Sequence, residues 1–176
     1  PLELAASGGV MPAGGAAYRC NMVNLGGDEH GPFAERVMIS HSAGSIEGEE
    51  SDELIKWLFA EPEFAALAEK AKITVHPSFR HLAVQSDADI DGIVLAPPHD
   101  HLNEKIGPIL PRGCANAAVL LELMEKAAEL LPEHPINKKR AAEGKLPANG
   151  IWFWAEGKGA ELPNFTAHYG ADGGVV

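Results

Sequence analysis

The chain has 176 residues, 45% of them apolar and 22% charged, with 25 Asp and Glu against 14 Lys and Arg for a formal net charge of −11. That length suits one domain, or one domain with arms, able to bury a core without disulfide staples. The acidic balance argues against nucleic acid, though not against a small anion held by two or three converging cations; Cys20 and Cys114 are too few for a disulfide framework and point to a reducing cytoplasm; and no apolar run approaches the ~18 residues that span a bilayer.

Residues 1–15 are small and Gly-rich and read as an arm or loop. They lack a basic stretch followed by an apolar one, so they do not read as a signal peptide. Residues 17–25, "AYRCNMVNL", alternate as a strand does, and "ERVMIS" at 35–40 reads as its returning partner across the turn-rich "LGGDEHGPF". Residues 49–72 are helical. Leu54, Ile55, Leu58 and Phe59 make an apolar stripe, acids occupy the first turn, and Pro62 fits the first turn of a second helix rather than a helix interior. "KITVHP" at 72–77 and "RHLAVQ" at 80–85 read as two short strands. Residues 86–113, rich in Pro and Gly, read as a long loop with one short strand at "GIVL". The strongest helical periodicity runs from 115 to 131 and stops at Pro132, and a short helix from about Pro135 to Gly144 follows with Gly144 as its cap. "GIWFWAEG" reads as a final strand. Hairpins and helices together predict an α+β fold, with a small, mainly antiparallel (mixed) sheet of about four strands and helices packed on it.

Few residues carry obvious chemistry. On a strand, Arg19 and Asn21 share a face and Cys20 takes the other. The pair offers a fork of donors plus an amide, suited to carboxylate or phosphate, or else it is a solvated strand face. Arg80 and His81 open another strand, and as a lone pair they say little. In "APPHDHLNEK", Pro97 and Pro98 stiffen the approach to His99, Asp100 and His101. That loop could present His99 and Asp100 to a ligand, or Asp100 could simply cap a turn. A metal site is the weakest of these readings, because a structural zinc wants four N or S ligands and the cysteines lack C-x-x-C spacing. No nucleophile elbow, P-loop or dinucleotide fingerprint is present, and "SAGS" at 42–45 reads as a strand-to-helix loop. Taken alone, these residues describe an anion-binding α+β domain. The chain begins at Pro1 and stops in the Gly-rich "YGADGGVV". It reads as a piece of a longer polypeptide, the alternative being a processed complete protein.

Taken in order, "PLELAASGG", "AYRCNMV", "SAGSIEGEES", "FRHLAV", "PPHDH", "HPINKKR", "GKLPANGIWFWAEGK" and "YGADGGVV" resemble the archaeal-type cofactor-independent phosphoglycerate mutases. The likeness spans nearly the whole chain and is closest to their bacterial relatives, some labelled proposed homoserine kinase. The resemblance implies a metalloenzyme of the alkaline phosphatase superfamily, whose catalytic domain carries two divalent metal ions, manganese or magnesium, and a serine that takes the phosphoryl group. It further implies that residues 1–176 are the inserted, substrate-covering domain. Residues 1–15 and 165–176 would then be linkers to a catalytic domain outside this sequence. The isolated chain is expected to be inactive, with no catalytic residue and no metal ligand of its own. Its partners would be its own catalytic domain and a small phosphorylated acid, with neither nucleic acid nor membrane.

The same resemblance assigns substrate binding to Arg19 and Asn21 (the family's R-C-N), Arg80 and His81 (R-H), His99 and Asp100 (P-H-D), and Asn137 and Arg140 (H-P-x-N-x-x-R). Lys138 and Lys139 are expected to be solvated helix charges. Trp152 and Trp154 alternate with Phe153, which places one face in the core and the other near the domain boundary. Residues 40–45 depart from the pattern. Where many members have Asp-Arg-Arg-Ala-Gly-Arg or Asp-Tyr-Ser-Ala-Gly, this chain has Ser40, His41, Ser42, Ala43, Gly44 and Ser45. The missing acid leaves open a relative that acts on another small acid, with a stand-alone anion-binding module as a third reading.

Overall fold

A computed structural model describes residues 2–6, 8–78, 80–159 and 170. Its centre is one long strand, β1 (Ala16–Gly26). Two neighbours flank its first half: β4 (Leu82–Gln85) pairs antiparallel along Ala16–Arg19, and β5 (Gly150–Lys158) pairs antiparallel along Ala16–Val23. β3 (Ile73–His76) extends the sheet beyond β4, and β2 (Val37–Ser40) pairs with Asn24–Gly26. All five strands pair antiparallel. The α+β class read from the sequence is the one observed.

Among the described residues five α-helices complete the fold: α1 (Leu2–Ala6), α2 (Gly48–Ala60), α3 (Pro62–Lys70), α4 (Ala115–Leu130) and α5 (Pro135–Ala142). Pro62 does separate two helices, since its ring and missing N–H are tolerated only in a first turn. Phe59 and Phe64 meet edge-to-face across the break, ring centroids 4.9 Å apart. Leu54, Ile55 and Leu58 of α2, together with Leu120, Leu123, Met124 and Ala127 of α4, fill the main core with Tyr18, Cys20 and Phe153. Apolar positions recur at helical spacing in α2 and α4 because each buries one face against the sheet side of the molecule.

A second, smaller cluster lies under α1, where Leu4 packs on Ala17, Leu82 and Val84. Residues 1–15 therefore contain a helix where an arm or loop was expected. One buried leucine docks it, too little apolar period to see in the sequence. The "GIVL" segment is not a strand; it touches its neighbour through the isolated bridge between Val94 and Arg112. Gly113, with φ of +103°, lets the chain pass so close that a Cβ there would lie 2.1 Å from the Gly92 carbonyl oxygen. α5 ends at Ala142 with Glu143 as cap, and Gly144 follows with a left-handed φ of +72°. Residues 165–176 fall outside the described residues apart from Gly170. Among the described residues no helix is long and apolar enough to cross a membrane.

Candidate functional site

The site grows from the alternation of β1. Arg19 pairs in register with Trp154 of β5, and Asn21 with Trp152, while Cys20 pairs with Phe153 on the opposite face. Both tryptophans thus share a face with Arg19 and Asn21. The Arg19 guanidinium lies 4.8 Å from the Trp154 ring centroid. Trp154 Nε1 donates to Asn21 Oδ1 at 2.9 Å, and Asn21 Nδ2 donates to the His41 carbonyl at 2.8 Å. Asn21 is buried, so these bonds fix the amide's orientation.

Next to Asn21 opens a pocket of about 180 Å³, lined by Asn21, His41, Ser42, Ser51, Arg80 and His81, with Met22, Ser45 and Ile46 completing its wall. Four separate segments build it: β1, the loop after β2, the first turn of α2 and the turn before β4. The loop after β2 is pinned by its backbone. Ser40 Oγ accepts from the N–H groups of Ser42 (3.4 Å) and Gly44 (2.9 Å), and Ser42 Oγ accepts from Ser45 N–H (3.2 Å). Ala43, Gly44 and Ser45 in succession take positive φ. The turn before β4 is equally tight, with His81 at φ +38° and its N–H donating to the Ser78 carbonyl.

Basic side chains stand beside the pocket. The His99 ring stands edge-on to Trp154 (centroids 5.1 Å) and to His41 (5.9 Å). Partial burial holds the His41 pKa below its ordinary value, and the charges of His99 and Arg80 push it the same way. The facing carboxylate is Glu3 on α1, which accepts from Arg19 Nε at 2.8 Å and Arg19 Nη2 at 2.5 Å. That bond chiefly lowers the Glu3 pKa, burial opposes it, and the charges of Arg19 and Arg80 add to the lowering. Asp100 Oδ1 lies 3.7 Å from His99 Nε2 on the exposed loop. Of the residues singled out from the sequence, Asn21, Arg80 and His81 line the hollow; His99 stands behind His41, Arg19 stacks on Trp154, and Asp100 is placed only against His99.

Asn137 and Arg140 do not line it. Asn137 Nδ2 donates to the carbonyls of Leu131 and Ala148, and its Oδ1 accepts from Ala148 N–H, which uses the whole amide. Arg140 donates to Glu50 Oε2 (2.8 Å), the Ala43 carbonyl (2.9 Å) and the Leu146 carbonyl (3.0 Å). His134 caps α5 by accepting from Ile136 N–H at 3.2 Å. The H-P-x-N-x-x-R motif is therefore a clasp, and Arg140 supports the pocket from behind through the Ala43 carbonyl. Lys138 and Lys139 are exposed and pair with Glu133 and Glu143. His41, Ser51 and Glu3 were missed. Only the departure at residues 40–45 flagged the stretch containing His41.

Among the described residues no group of three or more His, Cys, Asp or Glu side chains is placed to hold a metal ion.

The model of the 2,3-bisphosphoglycerate-independent phosphoglycerate mutase family matches residues 1–137. The chain is 35% identical over its full length to the mutase of that name from Methanosarcina mazei and 34% identical to that of Methanothrix thermoacetophila, covering 41% of each. A probable mutase from Geobacter sulfurreducens is 34% identical, with 42% of its length covered. The chain thus spans about two fifths of the curated relatives it matches. Among solved structures, the cofactor-independent phosphoglycerate mutase of Thermoplasma acidophilum shares the fold at a TM-score of 0.62 and 23% identity, over 95% of this chain and 43% of that one. With the family model covering more than three quarters of its residues, the chain belongs to the 2,3-bisphosphoglycerate-independent phosphoglycerate mutase family.

Proposed function

We propose that this chain is the substrate-covering domain of a phosphoglycerate mutase, residues 1–15 and 165–176 serving as links to a catalytic domain. That enzyme, an isomerase of glycolysis working in the cytoplasm, interconverts 3- and 2-phosphoglycerate. Its reacting serine and its two divalent metal ions, manganese or magnesium, lie in the catalytic domain. The observation that carries the reading is the local charge. In a protein with formal charge −11, Arg80 lines a hollow shared with Asn21 and the His41 ring, His99 stands against His41, and Arg19, already bound to Glu3, stacks on the neighbouring Trp154. Such a hollow suits the carboxylate and hydroxyls of a phosphorylated acid. Closing it over the reacting centre excludes water, which would otherwise hydrolyse a phosphoserine.

The test is an assay of the full-length protein with manganese and 3-phosphoglycerate, beside the isolated 176-residue chain. The whole protein is expected to turn over and the isolated chain is not. Turnover by the chain alone would place the chemistry in this domain and refute the reading. The departure at Ser40–Ser45 favours one alternative, the bacterial relatives labelled proposed homoserine kinase. Turnover of homoserine with ATP, in the absence of mutase activity, would select it.

A further inference from the structure

Ser51 and His81 form a buried pair on the pocket wall, 4% and 1% exposed, with Ser51 Oγ 2.8 Å from His81 Nε2. A buried serine beside a histidine invites reading as a nucleophile and its base. The second ring nitrogen decides against that. His81 Nδ1 lies 3.2 Å from the Ser78 backbone N–H, which can only donate. Nδ1 is therefore the acceptor, the neutral ring carries its proton on Nε2, and Nε2 donates to Ser51 Oγ. A ring in that tautomer cannot take the proton of Ser51. Burial also pushes the His81 pKa down to about 4, against a smaller opposing pull from Asp52, so the ring stays neutral near pH 7.

The consequence falls on Ser51. Its oxygen accepts from His81, so its own O–H proton has no acceptor among the described residues. A buried donor without a partner is unfavourable, and the space beside this one is the pocket. Ser51 also stands in the first turn of α2, whose N-cap residue Glu47 makes no side-chain capping bond. We infer that Ser51 is a ligand-contacting donor for an anionic oxygen of the substrate, and that His81 is a positioning residue that holds the Ser51 hydroxyl proton toward the pocket. This rests on reading the pocket as the substrate site and names a contact within it. The anionic oxygen can belong to a phosphoryl group or to a carboxylate.

The experiment uses the 176-residue chain labelled with nitrogen-15, long-range proton–nitrogen spectra of its histidine rings, and titrations with inorganic phosphate and with glycerate. His81 should show a protonated Nε2 and a bare Nδ1 at pH 6. Whichever anion contacts Ser51 should shift the Ser51 and Asn21 amides, and Ser51→Ala should weaken that anion by about 10–100-fold, the loss of one hydrogen bond to a charged acceptor. An effect on phosphate alone assigns the phosphoryl end, and on glycerate alone the carboxylate end. His81→Gln keeps an N–H donor where Nε2 sits and should bind within about 2-fold of the parent, whereas His81→Leu should fall with Ser51→Ala. A protonated Nδ1, or unchanged binding at the pocket by Ser51→Ala, overturns the inference while leaving the substrate site intact. Shifts confined to other surfaces, or no binding of either anion, refute the substrate site and this inference with it.

Discussion

Replacing Arg140 with alanine distinguishes a ligand-binding arginine from a structural one. The side chain is 7% exposed and reaches three separate segments: the first turn of α2 at Glu50, the pocket loop at Ala43, and the approach to β5 at Leu146. Its removal strands two carbonyl oxygens that it served, at Ala43 and Leu146, and leaves Glu50, which is 37% exposed, to water. Each hydrogen bond from a charged donor contributes roughly 1.5–3 kcal/mol, and such losses within one network are less than additive. Discounting the partly exposed Glu50 pair, the loss comes to about 3–4 kcal/mol. In a domain of this size that lowers the melting temperature by about 10 °C. Urea unfolding followed by tryptophan fluorescence, with parallel thermal scans, measures it. Lys138→Ala serves as the control. It breaks an exposed 2.7 Å pair with Glu133 and should change stability by less than about 0.5 kcal/mol. If Arg140→Ala unfolds within 1 kcal/mol of the parent, by order of magnitude no more than a surface change, the clasp is refuted and Arg140 returns as a candidate for direct substrate contact.

Stability should fall with acid through His81. Its folded pKa near 4 lies below the ordinary 6.5, so the unfolded chain binds the extra proton and the contribution is whole above pH 6.5. It should shrink by about 3 kcal/mol as pH drops from 6.5 to 4, and His81→Gln should flatten that part of the melting-temperature profile. A profile unchanged by the substitution excludes His81 as the source. Glu3→Gln removes the carboxylate that already occupies Arg19, so anion affinity should rise about 2–5-fold, the worth of a partly exposed ion pair; a drop in affinity would make Glu3 part of the binding set. Trp154→Phe keeps the ring but deletes the bond to Asn21 Oδ1. It should cost about 1–2 kcal/mol and weaken anion binding together, because the freed amide can rotate. Equal affinity in the variant would show that Asn21 needs no such support.

The regular elements were legible because burial writes itself as period. The alternation of β1 and the helical spacing of α2 and α4 are each answered by buried faces in one core. α1 was not, since its only buried apolar side chain among the described residues is Leu4, and its other tie is the Glu3–Arg19 pair, which leaves no period. Arg19 and Asn21 could be placed on one face from strand alternation. Arg140 and Asn137 could not be told from ligand-binding residues, because a motif shows which side chains can donate and not whether carbonyls of their own chain already receive them. His41 and Ser51 enter the site only through the path of the loop between β2 and α2, and that path depends on Arg140 and on positive φ at Ala43 and Ser45. No local pattern records such a dependence.

The clasp on that loop has a consequence for how such sites diversify. Arg140 grips Ala43 by its carbonyl, and Ser40 grips Ser42 and Gly44 by their N–H groups. Ser42 Oγ adds a bond from Ser45 N–H, but none of these contacts reads the side chains at positions 41 or 45, which face the hollow. The frame and its fittings are thus separable, and a lineage can exchange the fittings to suit a new metabolite while the frame that presents them keeps its shape.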